Sequence, residues 1–391
     1  MSELLLLSAD GQASRVPLAP ASGFTRPSTP LVSRVAYAAA HVIPKPWADN
    51  VPGAPADLDW DATLAFRHHL WSWGLGVADA MDTAQRNMGL DPAATRELIT
   101  RSAAEAHSVG GSLVVGVNTD HVDDEIISLG AVIDAYTEQL HFAENAGARV
   151  VLMASRHLAR AAQNAEDYRR VYREVLAKAG APAILHWLGE AFDPSLAGYF
   201  GSTDVATASD TVAAIIDENQ SRVAGIKMSL LDAAAEIALR FRLPESASMF
   251  TGDDFNYVGL IAGEATDHSA AHHSDALLGA FAAVGPNASA AIQALDAGDL
   301  DGYHRILGPT EALSRQIFAA PTFYYKTGVA FLSWLNGHQA SFSMVGGLHA
   351  ARSLPHLSEI VHLANESGAL ELPELAAARW SSMLALNGVD A

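Results

Sequence analysis

Eight apolar, β-type runs recur along this 391-residue chain, and helical patterns separate them. They span residues 34–42, 76–81, 112–117, 149–154, 183–188, 223–228, 248–251 and 263–269. A continuous apolar run lacks the alternation of a strand with one wet face, so the sheet it joins must be covered on both sides. Strands of that kind, each followed by a helix, build a parallel sheet, and eight βα units are enough to close it. The expected fold class is α/β, a (β/α)8 TIM barrel.

Local punctuation agrees with this. Asp91-Pro92 reads as an N-cap followed by proline at the first helical position, and Gly147 and Gly180 end helices shortly before the next strand. Residues 1–30, rich in Pro, Ser and Gly, read as an irregular amino-terminal extension. Residues 31–280 hold the barrel. From 281 to 391 the period turns helical, which predicts a carboxy-terminal helical bundle packed on the barrel. No short solenoid repeat interrupts the pattern.

Half of the residues are hydrophobic and only 17% are charged, ample material for a large core. The formal charge of -20 sets the surface against nucleic acid and anionic membranes. With zero cysteines there are no disulfides and no thiolate metal ligands. The run Leu4-Leu-Leu-Leu7 is too short for a signal peptide or a spanning helix and has no basic flank, so a cytoplasmic location is the default.

Lysine occupies only four positions, 45, 178, 227 and 326, against twenty arginines. One of the four stands inside an apolar strand, Val223-Ala-Gly-Ile-Lys-Met-Ser229. Burying an ammonium without a partner is costly, and the usual response is a pKa driven down until the amine is neutral. A neutral lysine is a nucleophile, so Lys227 points to imine formation on a carbonyl substrate. The plain alternative is a structural ion pair with a carboxylate such as Asp253. Lys326, in Phe323-Tyr-Tyr-Lys-Thr327, is the rival amine; its helical setting after the barrel reads as structural.

In a barrel of this class the chemistry lies at the carboxyl ends of the strands. Those positions hold Asp82-Thr83-Ala84-Gln85-Arg86, Asn118-Thr119-Asp120-His121, Ser155-Arg156-His157, His186 with Glu190, Gly252-Asp253-Asp254, and Glu264 to His268. Taken singly, Asp120, Asp124, Asp254 and Glu190 read as caps or solvated loop residues. Lys227 and His186 are the expected catalytic pair, His186 being a group able to titrate near neutrality; otherwise it is a hydrogen-bonded core histidine. Asp82, Thr83, Gln85, Arg86, Asp120, His121, Arg156, His157, Asp253, Glu264 and His268 are the expected substrate-binding residues. The acids would accept from hydroxyls and the arginines would pair with a carboxylate or phosphate. This set favours a small, polyhydroxylated carbonyl substrate and needs no cofactor. A second class fits some of the same residues: Asp82, His121, Asp253, Glu264 and His268 as ligands of a divalent metal in a sugar isomerase or aldolase. A third is a non-catalytic, sugar-binding barrel.

The order of these motifs resembles the dihydrodipicolinate synthase and N-acetylneuraminate lyase superfamily of class I aldolases. Gly225-Ile226-Lys227 matches the segment around its Schiff-base lysine on the sixth barrel strand, and Gly252-Asp253-Asp254 matches the turn that ends the next strand. Glu144-Asn-Ala-Gly-Ala148, Ala297-Gly-Asp299 and Lys326 before Gly328 agree as well, over roughly residues 32–365. The resemblance implies the TIM barrel, an imine on Lys227 and a homo-oligomer. There are departures. Asp82-Thr83-Ala84-Gln85 replaces a threonine pair that holds a keto-acid carboxylate. His186 stands where the family has a proton-relaying tyrosine, and Arg156-His157-Leu158 replaces Pro-Tyr-Tyr. They imply a divergent branch, turned away from pyruvate-type substrates, whose own substrate the resemblance does not supply; it is the hydroxyl-accepting rim acids that favour an oxo-sugar or sugar-acid derivative undergoing aldol cleavage or dehydration.

Overall fold

The computed structural model describes residues 3–263 and 272–389. Eight parallel strands close into a barrel: β3 (Ala36–Ala39), β4 (Gly76–Asp79), β5 (Leu113–Val117), β6 (Arg149–Leu152), β7 (Ala183–Leu188), β8 (Val223–Ser229), β9 (Ser248–Thr251) and β10 (Asp275–Leu278), with β10 closing onto β3. Seven of the expected runs are barrel strands. The eighth strand is not at 263–269 but at Asp275–Leu278, where Ala276-Leu277-Leu278 supplies the apolar run. Gly263, with φ +62°, follows a helix instead, and residues 264–271 lie outside the described residues. His272 and His273 precede the eighth strand.

The outer layer begins with α1 (Trp60–Ser72), α2 (Pro92–Val109), α3 (Leu129–Asn145), α4 (Arg156–Ala161), α5 (Ala165–Leu176), α6 (Val205–Glu218), α7 (Ala233–Arg240) and α8 (Tyr257–Ala262). Asp91 caps α2 through Ala94 N–H at 2.9 Å with Pro92 at the first position, and Gly147 follows α3 at φ +86°. After β10 the chain is helical: α9 (Ala280–Ala283), α10 (Gly285–Asp296), α11 (Leu300–Leu307), α12 (Thr310–Ile317), α13 (Tyr325–Leu335), α14 (Leu354–Glu366) and α15 (Pro373–Leu386). No helix among the described residues is long and apolar enough to cross a membrane.

The amino-terminal segment is not irregular throughout. β1 (Glu3–Leu7) and β2 (Ala13–Pro17) pair as an antiparallel hairpin. Leu4 and Leu6 are buried on one face, Leu7 N–H donates to Ser358 Oγ at 2.7 Å, and Trp380 Nε1 donates to Leu5 O at 2.7 Å. Contact with α14 and α15 thus gives the alternating Leu4-Leu5-Leu6-Leu7 run a surface to cover.

Two cores follow from this architecture. The large one lies between barrel and helices; a small one, with Tyr37, Ala39, Ala78, Val114, Val151, Met153, Ile184, Phe250 and Leu277, fills the barrel interior. A buried ion pair ties α1 to the barrel wall: Arg67 donates to Asp79 at 3.0 and 2.8 Å, to His41 O and to Thr63 O, while Ser102 Oγ donates to Asp79.

Candidate active site

Inward parity on β7 runs from Ile184 to His186, and His186 pairs in register with Lys227 on β8, the sixth barrel strand. Lys227 pairs in turn with Phe250 on β9. The Lys227 stem lies over Gly252: a Cβ there would stand 2.7 Å from Lys227 Cε and 2.1 Å from Ser229 Oγ, so any larger residue would displace both side chains. Lys227 is 8% exposed, and its Nζ makes no hydrogen bond or ion pair to any described residue. The expected alternative, an ion pair with Asp253, does not form. Burial holds the ammonium below the ordinary lysine range, opposed by the negative charges of Asp254 and Asp82.

The acid that faces Lys227 is Asp254. Its Oδ1 accepts from Ala280 N–H at 2.9 Å, and burial raises its carboxyl to about 7 against the pull of that N–H and of Lys227. Asp253 points the other way and is a cap: Oδ1 accepts from Phe255 and Asn256 N–H at 2.9 and 3.1 Å, Oδ2 from Asn256 Nδ2 at 2.8 Å. Asp253 thus makes capping contacts, while Asp254, expected as a cap or solvated loop residue, is buried and close enough to Lys227 to shift its amine. A sequence signal existed, because period-two parity from Phe250 through Gly252 reaches 254 and not 253.

His186 is fully buried, with Nε2 3.4 Å from Ser229 Oγ and Nδ1 without a partner among the described residues. Burial, and then the charge of Lys227, push its pKa well below the usual histidine value, so it is neutral at pH 7. This corrects the expectation of a histidine titrating near neutrality. The group in that range is Asp254.

Asp82 and Thr83 reach the same place. Thr83 Oγ1 lies 2.8 Å from Tyr325 Oη, and the Tyr325 ring stacks on Phe318 at 4.3 Å. Burial, and then the charge of Asp82, hold the Tyr325 phenol well above its ordinary pKa, with Asp254 acting in the same direction. Lys326 follows on α13. Its Nζ lies over the Tyr325 ring at 4.4 Å and donates to Phe323 O at 3.1 Å. Burial lowers it to about 8, with Asp82 and Asp193 opposing and Arg156 and Lys227 assisting. Both buried lysines thus feel Asp82. From sequence alone Lys326 reads as a structural residue of the carboxy-terminal helices; the polar pair Tyr325-Lys326 beginning an otherwise apolar helix is the available signal.

Other expected site residues go elsewhere. Arg86 is wholly buried and bound to Asp120, Ala80 O, Gly116 O and Gln139, so neither Arg86 nor Asp120 is free to clamp a substrate. His121 stands beside Gln139, 2.8 Å from Nδ1, and Glu138, 3.4 Å from Nε2, on the outer side near α2 and α3. Gln85 donates to Val345 O at 2.8 Å and to Met88 O at 3.2 Å, and so pins its own loop. His157 bridges Thr119 Oγ1 at 2.7 Å and Asp124 O at 2.9 Å. Arg156 pairs with Asp193 at 2.6 Å and, with His157, Asn118 and Asp120, lines a rim cavity of about 190 Å³. Glu264 and His268 lie outside the described residues. Among the described residues, Asp82, His121 and Asp253 do not gather into a metal-sized group.

Solved structures with this architecture include a putative dihydrodipicolinate synthetase from Pseudomonas aeruginosa, 17% identical over 83% of this chain and 98% of that one, TM-score 0.59. Dihydrodipicolinate synthase from Oceanobacillus iheyensis is 13% identical over 85% and 96%, TM-score 0.62. The 4-hydroxy-tetrahydrodipicolinate synthase from Methylacidiphilum fumariolicum SolV is 15% identical over 90% and 98%, TM-score 0.62. At these identities the likeness is one of fold, the dihydrodipicolinate synthase-type barrel. No curated protein matches the chain. A family model matches residues 4–389, nearly the whole sequence, and on that match the chain belongs to the family described as Protein of unknown function (DUF993).

Proposed function

We propose that this chain is a Schiff-base-forming lyase that cleaves or dehydrates an oxo-sugar or sugar-acid derivative through Lys227. The observation that carries the reading is a buried Lys227 amine, without a hydrogen bond or ion pair among the described residues, beside an Asp254 carboxyl that burial raises to about 7. Neutral Nζ attacks the carbonyl carbon, the carbinolamine loses water, and the protonated imine accepts the electron pair of the bond that breaks two carbons away. In cleavage a base takes the proton of the β-hydroxyl, the carbon–carbon bond breaks, and an aldehyde leaves. In dehydration the base takes the α-proton and the β-hydroxyl leaves as water. Protonation of the enamine carbon in the first course and hydrolysis of the imine in both return the free lysine. Asp254, half ionised near neutrality, is the general acid and base in both courses. Tyr325, held by Thr83, positions a phenol beside it.

With Arg86 tied to Asp120 and Arg156 to Asp193, the charge available for a substrate carboxylate or phosphate is Lys326, protonated at pH 7 with its pKa of about 8. Asp82 accepts from substrate hydroxyls. The small-molecule carbonyl substrate is polyhydroxylated, and the chain works without a cofactor in the cytoplasm as a homo-oligomer, which light scattering tests.

Borohydride reduction in the presence of a panel of keto-sugars and keto-acids, followed by intact-mass and peptide analysis, tests the reading. An adduct on Lys227 that is absent from Lys227→Met supports it and identifies the carbonyl class. No adduct with any carbonyl, or an adduct that survives in Lys227→Met, overturns it.

A further inference from the structure

Away from the strand that carries Lys227, three side chains that nothing above uses converge on one point. His69 stands in the last turn of α1, His338 just after α13, and Glu371 just before α15. His338 Nε2 lies 2.7 Å and His69 Nε2 3.4 Å from the same Glu371 oxygen, Oε1. The imidazole rings are 4.2 Å apart, and one ligand atom from each residue fits within 4.8 Å of the others. Among the described residues no other group of His, Cys, Asp or Glu meets that condition.

We infer that His69, His338 and Glu371 form a binding site for a divalent transition-metal ion, zinc in the first instance, that fastens the carboxy-terminal helices to helix α1. Two imidazoles and one carboxylate are the nitrogen and oxygen donors zinc prefers. With metal–ligand bonds of roughly 2.0–2.2 Å, the edge of a tetrahedron is about 3.4 Å, the present separation of His69 Nε2 and Glu371 Oε1. The His338 contact would open by about 0.7 Å as a metal replaces the shared proton. A hydrogen-bonded cluster has no need to aim both imidazoles at one oxygen, since a carboxylate offers two.

The carriers are fixed. Glu371 N–H donates to Asn336 Oδ1 at 3.0 Å, Asn336 Nδ2 to Ala369 O at 2.9 Å, and His338 N–H to Ser333 O at 3.0 Å. Phe66 packs against both rings, at 6.0 Å from His69 and 5.3 Å from His338. The side chains remain 14%, 18% and 23% exposed, which leaves a path for an ion and a fourth position for water. Residues 69, 338 and 371 are far apart in sequence, so an ion joining them binds the folded chain and not the unfolded one.

The test uses tag-free, full-length protein dialysed against EDTA, then titrated with Zn2+ by calorimetry and with Co2+ by visible absorption. The expected result is one ion per chain, a tetrahedral Co2+ spectrum and a higher melting temperature with metal. His338→Ala and Glu371→Gln each lower the affinity by roughly tenfold or more. Glu371→Gln keeps the hydrogen-bonded shape, so it reports on metal binding if His338→Ala misfolds. No stoichiometric ion, or an ion held equally by Glu371→Gln and His69→Ala, overturns the inference.

Discussion

The Lys227 amine and the Asp254 carboxyl draw each other toward their charged forms, while burial drives both toward neutrality. Neither wins outright, and no ion pair closes between them. No locked salt bridge forms, and the group of the pair raised into the neutral range is the Asp254 carboxyl, at about 7, which is what the proposed imine chemistry would draw on.

Asp254→Asn is the direct test of that proton. If Lys227 forms the proposed imine, its rate of formation in the native chain is expected to rise with pH as Asp254 ionises through about 7. The variant lowers the rate by about 10²–10⁴-fold and loses that limb of the profile. An unchanged limb near pH 7 in Asp254→Asn would assign it to another group.

Gly252→Ala asks whether the space over the strand turn positions the amine. The added methyl meets Ser229 Oγ and Lys227 Cε, so the lysine stem must shift. A stability loss of about 1–3 kcal/mol by urea unfolding is expected, together with a much larger loss of borohydride trapping. Full trapping in the folded variant would show that the lysine has freedom the native packing denies it.

Much of this was legible from the strand pattern. Seven runs and the apolar setting of Lys227 follow from burial on both faces, which leaves its mark on every residue of a strand. The eighth strand escapes the pattern because Ala276-Leu277-Leu278 runs on almost at once into the apolar helix Ala280–Ala283, which hides its end. Arg86 and Asp120 were read as rim groups, and their pairing with each other needs the three-dimensional approach of two loops. Tyr325 and Lys326 reach Asp82 from a helix some 240 residues downstream, beyond any local period.

Arg67→Met isolates the ion pair between α1 and β4. Removing the guanidinium leaves Asp79 buried with Ser102 as its remaining side-chain partner, which costs about 3–5 kcal/mol. The double change Arg67→Met with Asp79→Leu removes both charges and should recover most of the loss. Denaturant midpoints of the two variants give the comparison, and equal destabilisation by both would place the cost in packing rather than in the unpaired charge.

Glu236 gives the chain a pH-dependent stability of defined sign. It accepts from Thr251 Oγ1 at 3.0 Å and Ser274 Oγ at 2.7 Å, and burial raises it to about 8. Between the ordinary glutamate value and 8 the folded chain keeps a proton that the unfolded chain releases, so stability falls as pH rises. One such group gives a slope of about 1.4 kcal/mol per unit. Asp254 acts in the same direction but is present in both proteins, so the difference between the native chain and Glu236→Gln belongs to position 236. From about pH 5.5 to about pH 7.5 the native chain should lose roughly 2–3 kcal/mol more than the variant in urea unfolding. Parallel pH dependences would mean that Glu236 is ionised in the folded state, with a cation compensating its burial.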